Sequence, residues 1–194
     1  MTYIEELMRK AKAVKKEEAP VEEGKEEGEK SLIDSYDGTK VYKVKGESLL
    51  LYEVPVPHYR GEEKVLIDAL AEIATNVIEV EPTSFGTEEE KRRKYFEQVM
   101  EIIEKSPELK VPSHAKEFYA NAVVKEMVGY SLIDDLVKDD NLEDILVIGP
   151  GKPVYVHHRK YDMMRTNIIF YEDKDIRDLV ERIARIIGRR IDFQ

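Results

Sequence analysis

Asn141-Leu142-Glu143-Asp144-Ile145-Leu146-Val147-Ile148-Gly149-Pro150-Gly151-Lys152-Pro153-Val154-Tyr155-Val156-His157-His158-Arg159-Lys160-Tyr161 decides how this chain folds. Two apolar segments flank a rigid Gly-Pro-Gly turn, and basic and histidine residues crowd the end of the second. Residues 144–148 are an almost continuous apolar run, which predicts a strand covered on both faces. Residues 153–158 and 165–171 predict two further strands. Asp173 and Asp175 then suit the positive end of a helix dipole. Ile176, Leu179, Val180, Ile183, Ala184 and Ile187 form the expected buried stripe of that helix, and Gly188 ends it.

Upstream, residues 39–45 and 48–54 predict a hairpin turned at Gly46. Pro55 and Pro57 stop it, because neither has an amide hydrogen to donate. Helices follow. Val65, Leu66, Ala69, Leu70, Ile73, Ala74, Val77 and Ile78 line one face of a helix over 62–78. Thr87 and Glu90 are spaced as a capping box. The helix they open turns Tyr95, Phe96, Val99, Met100, Ile102 and Ile103 inward and closes at Pro107. Ser113 begins a third helix, with Phe118, Tyr119, Ala122, Val123 and Met127 inward and Gly129 as a left-handed cap. Residues 131–137 add a short helical turn.

Before these elements, Ile4, Leu7, Met8, Ala11 and Val14 recur at helical spacing over 1–16, either a frayed tail or a docking helix. The run 17–30, EEAPVEEGKEEGEK, cannot bury a face and reads as a solvated linker. The expected class is α+β. A tail (1–30) precedes a helical subdomain with a leading β-hairpin (31–139). An α/β subdomain with an antiparallel or mixed sheet (140–194) follows.

The 194 residues suffice for one or two domains with a real core. Charged residues make up 37% and cysteine is absent, which fits an intracellular protein with a thermophile-like surface and excludes a disulfide framework. The net charge of −10 opposes binding a nucleic acid through the overall field. No apolar run approaches the roughly 20 residues that span a bilayer, and Glu5 and Glu6 break any secretory signal.

Gly149-Pro150-Gly151-Lys152 is not a phosphate loop. Such a loop needs a longer glycine-rich curve ending in Gly-Lys-Ser/Thr and opening a helix, whereas Pro153 here opens a strand. His157 and His158 are adjacent on a strand, point to opposite faces and cannot easily share a metal ion. His58 and His114 have no ligand-like spacing to them, so no metal site is expected. His157, His158, Arg159, Lys160 and Arg165 form a basic hairpin tip, either an exposed turn kept soluble by charge or a contact for an acidic or phosphate-bearing neighbour. Lys91, Arg92 and Arg93 place cations near a helix start, against the dipole, which hints at a partner contact. Glu88, Glu89 and Glu90 compensate them. Arg177, Arg182 and Arg185 lie off the last helix's apolar stripe, and Arg189 and Arg190 follow it. They form either a solvated face or a reach toward a neighbouring subunit's phosphate.

Several stretches, in a shared order from about Ser48 onward, resemble the N-terminal domain of archaeal secretion ATPases, above all the motor ATPase of the archaellum. Leu51-Tyr52-Glu53-Val54-Pro55 with Tyr59-Arg60-Gly61-Glu62 is similar to the start of that domain. Val123-Val124-Lys125-Glu126-Met127-Val128-Gly129-Tyr130 and Ile133-Asp134 also resemble it. The stretch from Asn141 to Ile168, ending in Arg165-Thr166-Asn167-Ile168, is the most specific. Arg182-Ile183-Ala184-Arg185-Ile186-Ile187-Gly188-Arg189-Arg190 resembles the helix leading into the family's linker.

The resemblance implies a hexameric ATPase of the type II/IV secretion superfamily. Its N-terminal domains ring the cytoplasmic face of a polytopic membrane platform protein, alongside accessory archaellum motor proteins. A RecA-like C-terminal domain hydrolyses ATP with Mg²⁺, and movement between the domains drives filament assembly and rotation. The family's Walker A, Walker B, aspartate and histidine boxes fall beyond Gln194, so no catalytic residue carries over. Arg189 and Arg190 fall where the family's N-terminal domain approaches nucleotide.

The expectation is therefore a non-catalytic, cofactor-free coupling module, cytoplasmic and peripheral at the inner face of the membrane, cut from a longer ATPase. Alone it is expected to be a monomer or weak dimer. The same module of a type IV pilus or type II secretion ATPase is an alternative. A stand-alone adaptor, or a metal or hydrolytic site at the histidine–arginine hairpin, would place the chain in another class.

Overall fold

The computed structural model describes residues 29–57, 61–78 and 87–189, apart from the side chains of Arg185 and Ile186. The expected helix over 1–16, with Ile4, Leu7 and Met8, lies outside the described residues, as do His58, Tyr59, Arg60, Arg190 and the 17–28 part of the linker. No helix among the described residues is long and apolar enough to cross a membrane.

Among the described residues six strands form one mixed sheet: β1 (Lys30–Tyr36), β2 (Thr39–Val44), β3 (Leu50–Glu53), β4 (Leu142–Leu146), β5 (Pro153–His158) and β6 (Asp162–Ile169), in the order β1-β2-β3-β6-β5-β4. Two antiparallel meanders, β1–β2–β3 and β4–β5–β6, meet at the parallel pair β3–β6, where Leu51 faces Arg165 and Tyr52 faces Thr166. A parallel pair sits where both faces are covered. Accordingly Leu51, Tyr52, Met164, Thr166 and Ile168 are all buried. The β3 ladder stops where Pro55 removes a donor. Asn167 extends it with its side chain, accepting from Val54 N–H at 3.0 Å and donating to Val54 C=O at 2.8 Å.

The α+β class and the mixed sheet agree with the sequence reading, but the division of the chain differs. Among the described residues one compact unit takes in 61–131, and the other takes in 29–57 with 132–189. The leading hairpin was expected to head the helical subdomain. It instead belongs to the sheet, because β3 finds its second backbone partner in β6. The helical unit is thus an insertion between β3 and β4.

That unit contains α1 (Gly61–Val77), α2 (Glu88–Lys105) and α3 (Lys116–Val128). Thr87 caps α2 as expected, its hydroxyl accepting Glu90 N–H at 3.1 Å. Helix α3 packs against both α1 and α2. Its buried residues Tyr119, Ala120, Ala122, Val123 and Val124 therefore wrap more than one face. Gly129 does not adopt the expected left-handed cap. It is extended (φ −117°), and its N–H closes the helix on Lys125 C=O at 3.0 Å.

In the sheet unit, α4 (Asp134–Val137) precedes β4, and α5 (Asp173–Ile186) follows β6. Leu179 and Ala184 of α5 are buried as expected. Ile187 was expected in the buried stripe but is 61% exposed, because it lies past the last helical turn. Gly188 (φ 70°) takes the left-handed conformation, with Arg189 N–H reaching back to Ala184 C=O at 2.7 Å. This is the glycine cap that the sequence leads one to expect.

The expectation that 144–148 is covered on both faces is overturned. Among the described residues, strand β4 is a sheet edge paired with β5, and Ile148 is 58% exposed. Gly149 to Lys152 forms the β4–β5 turn, with Gly151 N–H donating to Phe170 C=O at 2.7 Å. The missed strand is β1. It is joined to β2 by Asp37-Gly38, both at positive φ (45° and 80°). Positive φ at both central residues is the mark of a type I′ hairpin turn.

Candidate functional site

Alternation along β5 turns Val154, Val156 and His158 inward and leaves Tyr155 and His157 half-exposed. The two histidines therefore point to opposite faces, as the strand reading requires. Arg159, Lys160, Arg165 and the His157 ring each lie beside a carboxylate from a neighbouring strand or turn. The β4 register shifts between Leu142 and Asp144, so Glu143 is an extra residue on its strand. Its carboxylate lies 3.1 Å from His157 Nδ1 and 3.9 Å from Arg159 Nε. Lys160 Nζ lies 3.1 Å from Asp34 Oδ2, and Tyr161 donates to the same oxygen at 2.6 Å. Arg165 forms a forked pair with Glu47, its second nitrogen at 2.7 Å from Oε1. The tip is thus charge-balanced within its own sheet.

His158 departs from its expected role as a partner contact. Its residue is only 3% exposed, and both ring nitrogens are engaged. Lys160 N–H donates to Nδ1 at 2.9 Å. Nδ1 is therefore the unprotonated nitrogen, and Nε2 carries the hydrogen of the neutral ring. Nε2 then donates to Tyr36 Oη at 3.0 Å. Tyr36 donates in turn to Asp139 Oδ2 at 3.0 Å. Tyr52 donates to that same oxygen in a short hydrogen bond. The other carboxylate oxygen, Oδ1, accepts the backbone N–H of Asn141 at 2.8 Å and its side-chain amide at 2.9 Å. Every donor in this chain has a single consistent direction and ends on one carboxylate. The Tyr161 ring lies against His158 with centroids 5.0 Å apart.

The electrostatics follow from burial and from these bonds. Burial disfavours a charged ring. It lowers the His158 pKa, and the nearby Lys160 cation adds to this against the pull of Asp139 and Asp34. Burial raises the Asp139 carboxyl, but the bonds from Tyr52, Asn141 and Tyr36 outweigh it and hold the carboxyl below its ordinary value. Burial, with the Asp139 charge behind it, pushes the Tyr36 phenol up to about 12. Tyr52 is raised for the same reasons. Asp34 is held low by its bonds from Tyr161, Lys160 and Ser35 N–H. At neutral pH the resting state is a neutral imidazole, protonated Tyr36 and Tyr52 phenols and an ionised Asp139. Chemically, this arrangement fixes positions and leaves no site open for a ligand at either imidazole nitrogen.

The other expected contact residues do not join this cluster. Lys91, Arg92 and Arg93 lie in the first turns of α2, where Lys91 Nζ is 3.7 Å from Glu88. Arg189 is exposed beyond α5. The described residues hold no group of three or more His, Cys, Asp or Glu placed for a metal ion. Sequence reading missed Asp34, Tyr36, Tyr52, Asp139 and Tyr161 as a cluster. Their bonds cross 87 to 127 positions of chain, so no local spacing announces them.

No protein-family profile matches the chain. Three proteins of Methanocaldococcus jannaschii share sequence with it. The uncharacterized protein MJ1288 is 45% identical over 69 residues, 36% of this chain and 27% of that protein. The uncharacterized protein MJ0781 is 38% identical over 61 residues, 31% of this chain and 8% of that protein. The uncharacterized protein MJ0900 is 23% identical over 97 residues, 50% of this chain and 17% of that protein. The chain therefore matches about a quarter or less of the length of each of these relatives.

Proposed function

We propose that this chain is a non-catalytic coupling module, the N-terminal part of a hexameric ATPase of the type II/IV secretion superfamily that powers archaellum assembly and rotation. The observation that carries this reading is the family-like order of residues from Asn141 to Ile168. It folds as one uninterrupted meander, β4–β5–β6, laid beside β3. Two further features support it. The reactive-looking side chains of that meander are tied to neighbours within the sheet, which suits a transmitting element better than a chemical one. The segments shared with longer relatives are small parts of those proteins, which suits a module. In this reading ATP and Mg²⁺ act in a RecA-like domain of the parent. The module relays motion to a polytopic platform protein at the inner face of the membrane.

The first test is calorimetric titration of the 194-residue chain with Mg-ATP. No binding in the micromolar range is expected, and micromolar affinity would overturn the proposal. The second is co-expression with archaellum and type IV pilus platform proteins, followed by affinity capture. Capture with the archaellum platform supports the reading. Capture with the pilus platform alone moves the module to that machine. Capture with neither overturns the coupling role in favour of a stand-alone adaptor.

A further inference from the structure

Among the described residues, strand β1 is an edge of the sheet and its ladder bonds go to β2. Little apolar burial holds it, since Leu32 is 57% and Ile33 47% exposed. In the strand order, β5 lies four places away. At about 4.8 Å per strand that is roughly 19 Å across a flat sheet, well beyond a tyrosine side chain. Yet Tyr36, the last residue of β1, is bonded to His158 at 3.0 Å, and Asp34 is bonded to both Tyr161 and Lys160. The sheet therefore curls at this end, and side chains bridge the curl. These bonds fasten the end of β1 and its Asp37-Gly38 turn to the β5–β6 turn. The opposite end is fastened separately, with Lys30 Nζ at 3.4 Å from Glu53 of β3.

We propose that this bridge is a proton-operated latch, closed while His158 is neutral and released when His158 takes up a second proton. The geometry gives the reason. A second proton must enter at Nδ1, where Lys160 N–H already points its own hydrogen. Two donors would then face each other around a buried cation. Relief requires the ring to turn, which breaks its bond to Tyr36 and loosens the end of β1, leaving Asp34 to hold it through Lys160 and Tyr161.

Asp34 on β1 and Asp139 before β4 attract the imidazolium, and Lys160 in the β5–β6 turn repels it. Tyr36 and Tyr52 stay protonated throughout the acid range. Tyr161 lies against the ring and donates its own hydrogen to Asp34. Asp162 is the register partner of His158 and is exposed. The folded-state pKa of His158 is lowered beneath the ordinary histidine value of 6.5. The latch therefore contributes its full stability above that value and loses it as pH falls below. Asp139 and Asp34 are held beneath 3.8 and remain charged while this happens.

The test is residue-resolved amide exchange by NMR on the full chain at pH 7.5 and 5.5, corrected for the intrinsic pH dependence of exchange. Protection at positions 34–36 is expected to fall about tenfold more than at β6 on acidification. His158→Gln keeps an acceptor and a donor near the two ring nitrogens but does not titrate. In that variant protection is expected to be the same at both pH values. Tyr36→Phe should lower protection at 34–36 to the same degree at both pH values, since the β2 ladder and the Asp34 bonds remain. Loss of protection in His158→Gln equal to that in the parent would overturn the latch, as would no pH effect in the parent. Should His158→Gln fail to fold, an NMR titration of His158 in the parent decides. Its midpoint should lie below the ordinary 6.5 and coincide with shifts at Tyr36 and Asp34, and a titration that leaves β1 unchanged would sink the proposal.

Discussion

Each of the two units of this protein is held together internally in its own way. In the helical unit the fastening is short-range. Thr87 caps the turn that follows it, Lys64 pairs with Asp68 and Lys105 with Glu101 one turn apart, and α3 lies against its two predecessors in the chain. In the sheet unit it is long-range. A single carboxylate, Asp139, collects bonds from Tyr36, Tyr52 and Asn141, and through Tyr36 it reaches His158. Local fastening can be read from spacing. Long-range fastening depends on which strands the topology makes neighbours.

Substitutions in each unit test the two kinds of fastening separately. The largest effect is expected from the helical core. Leu70 is fully buried, and Leu70→Ala should cost about 3 kcal/mol in urea denaturation. Asp139→Ala comes next. It removes the acceptor that the hydroxyls of Tyr52 and Tyr36 share. Its cost should be about 2 kcal/mol after allowance for partial exposure. If it costs less than Thr87→Ala, the sheet unit does not depend on its polar network and the contrast fails. Thr87→Ala itself removes the α2 cap, and should cost about 1 kcal/mol, the usual value of such a loss. Lys174→Ala breaks a pair at 3.9 Å between exposed groups on α5. Stability should then change by at most about 0.5 kcal/mol.

The pH dependence has a definite sign. His158 and Asp139 are both lowered in the folded state, so stability falls on acidification. The decline starts below pH 6.5 through His158 and continues below 3.8 through Asp139. In His158→Gln, followed by urea denaturation across this range, the first stage should vanish and the second persist.

This difference also explains what could be read in advance. Helix α1 over 61–77, the Thr87 cap, the Gly46 turn and the β5 alternation follow local rules, and the structure places them within a residue or two of expectation. Strand β1 escaped because its apolar pair, Leu32-Ile33, is adjacent and sits at a register shift, which breaks the alternation. The Asp37-Gly38 dipeptide was the available signal, and it marks the turn correctly. Strand β4 was misread because an apolar run looks the same in a buried strand and in an exposed edge. The basic tip was legible as residues but not as a charge-balanced surface. Glu47, Glu143 and Asp34 enter it from other strands and turns. The hydrogen-bonded cluster around Asp139 had no local signature at all.

The insertion of the helical unit between β3 and β4 has a mechanical consequence. The polypeptide leaves the sheet at its central parallel pair and returns at its outermost strand. A pull on the inserted helices therefore loads the two attachment points unequally. At β3 the load meets ladders to both β2 and β6, whereas on the return side it meets buried Leu132, Ile133 and Leu136 and the Asp139 bonds before it reaches β4. The departing connection is thus anchored by backbone ladders and the returning one by buried side chains and a carboxylate.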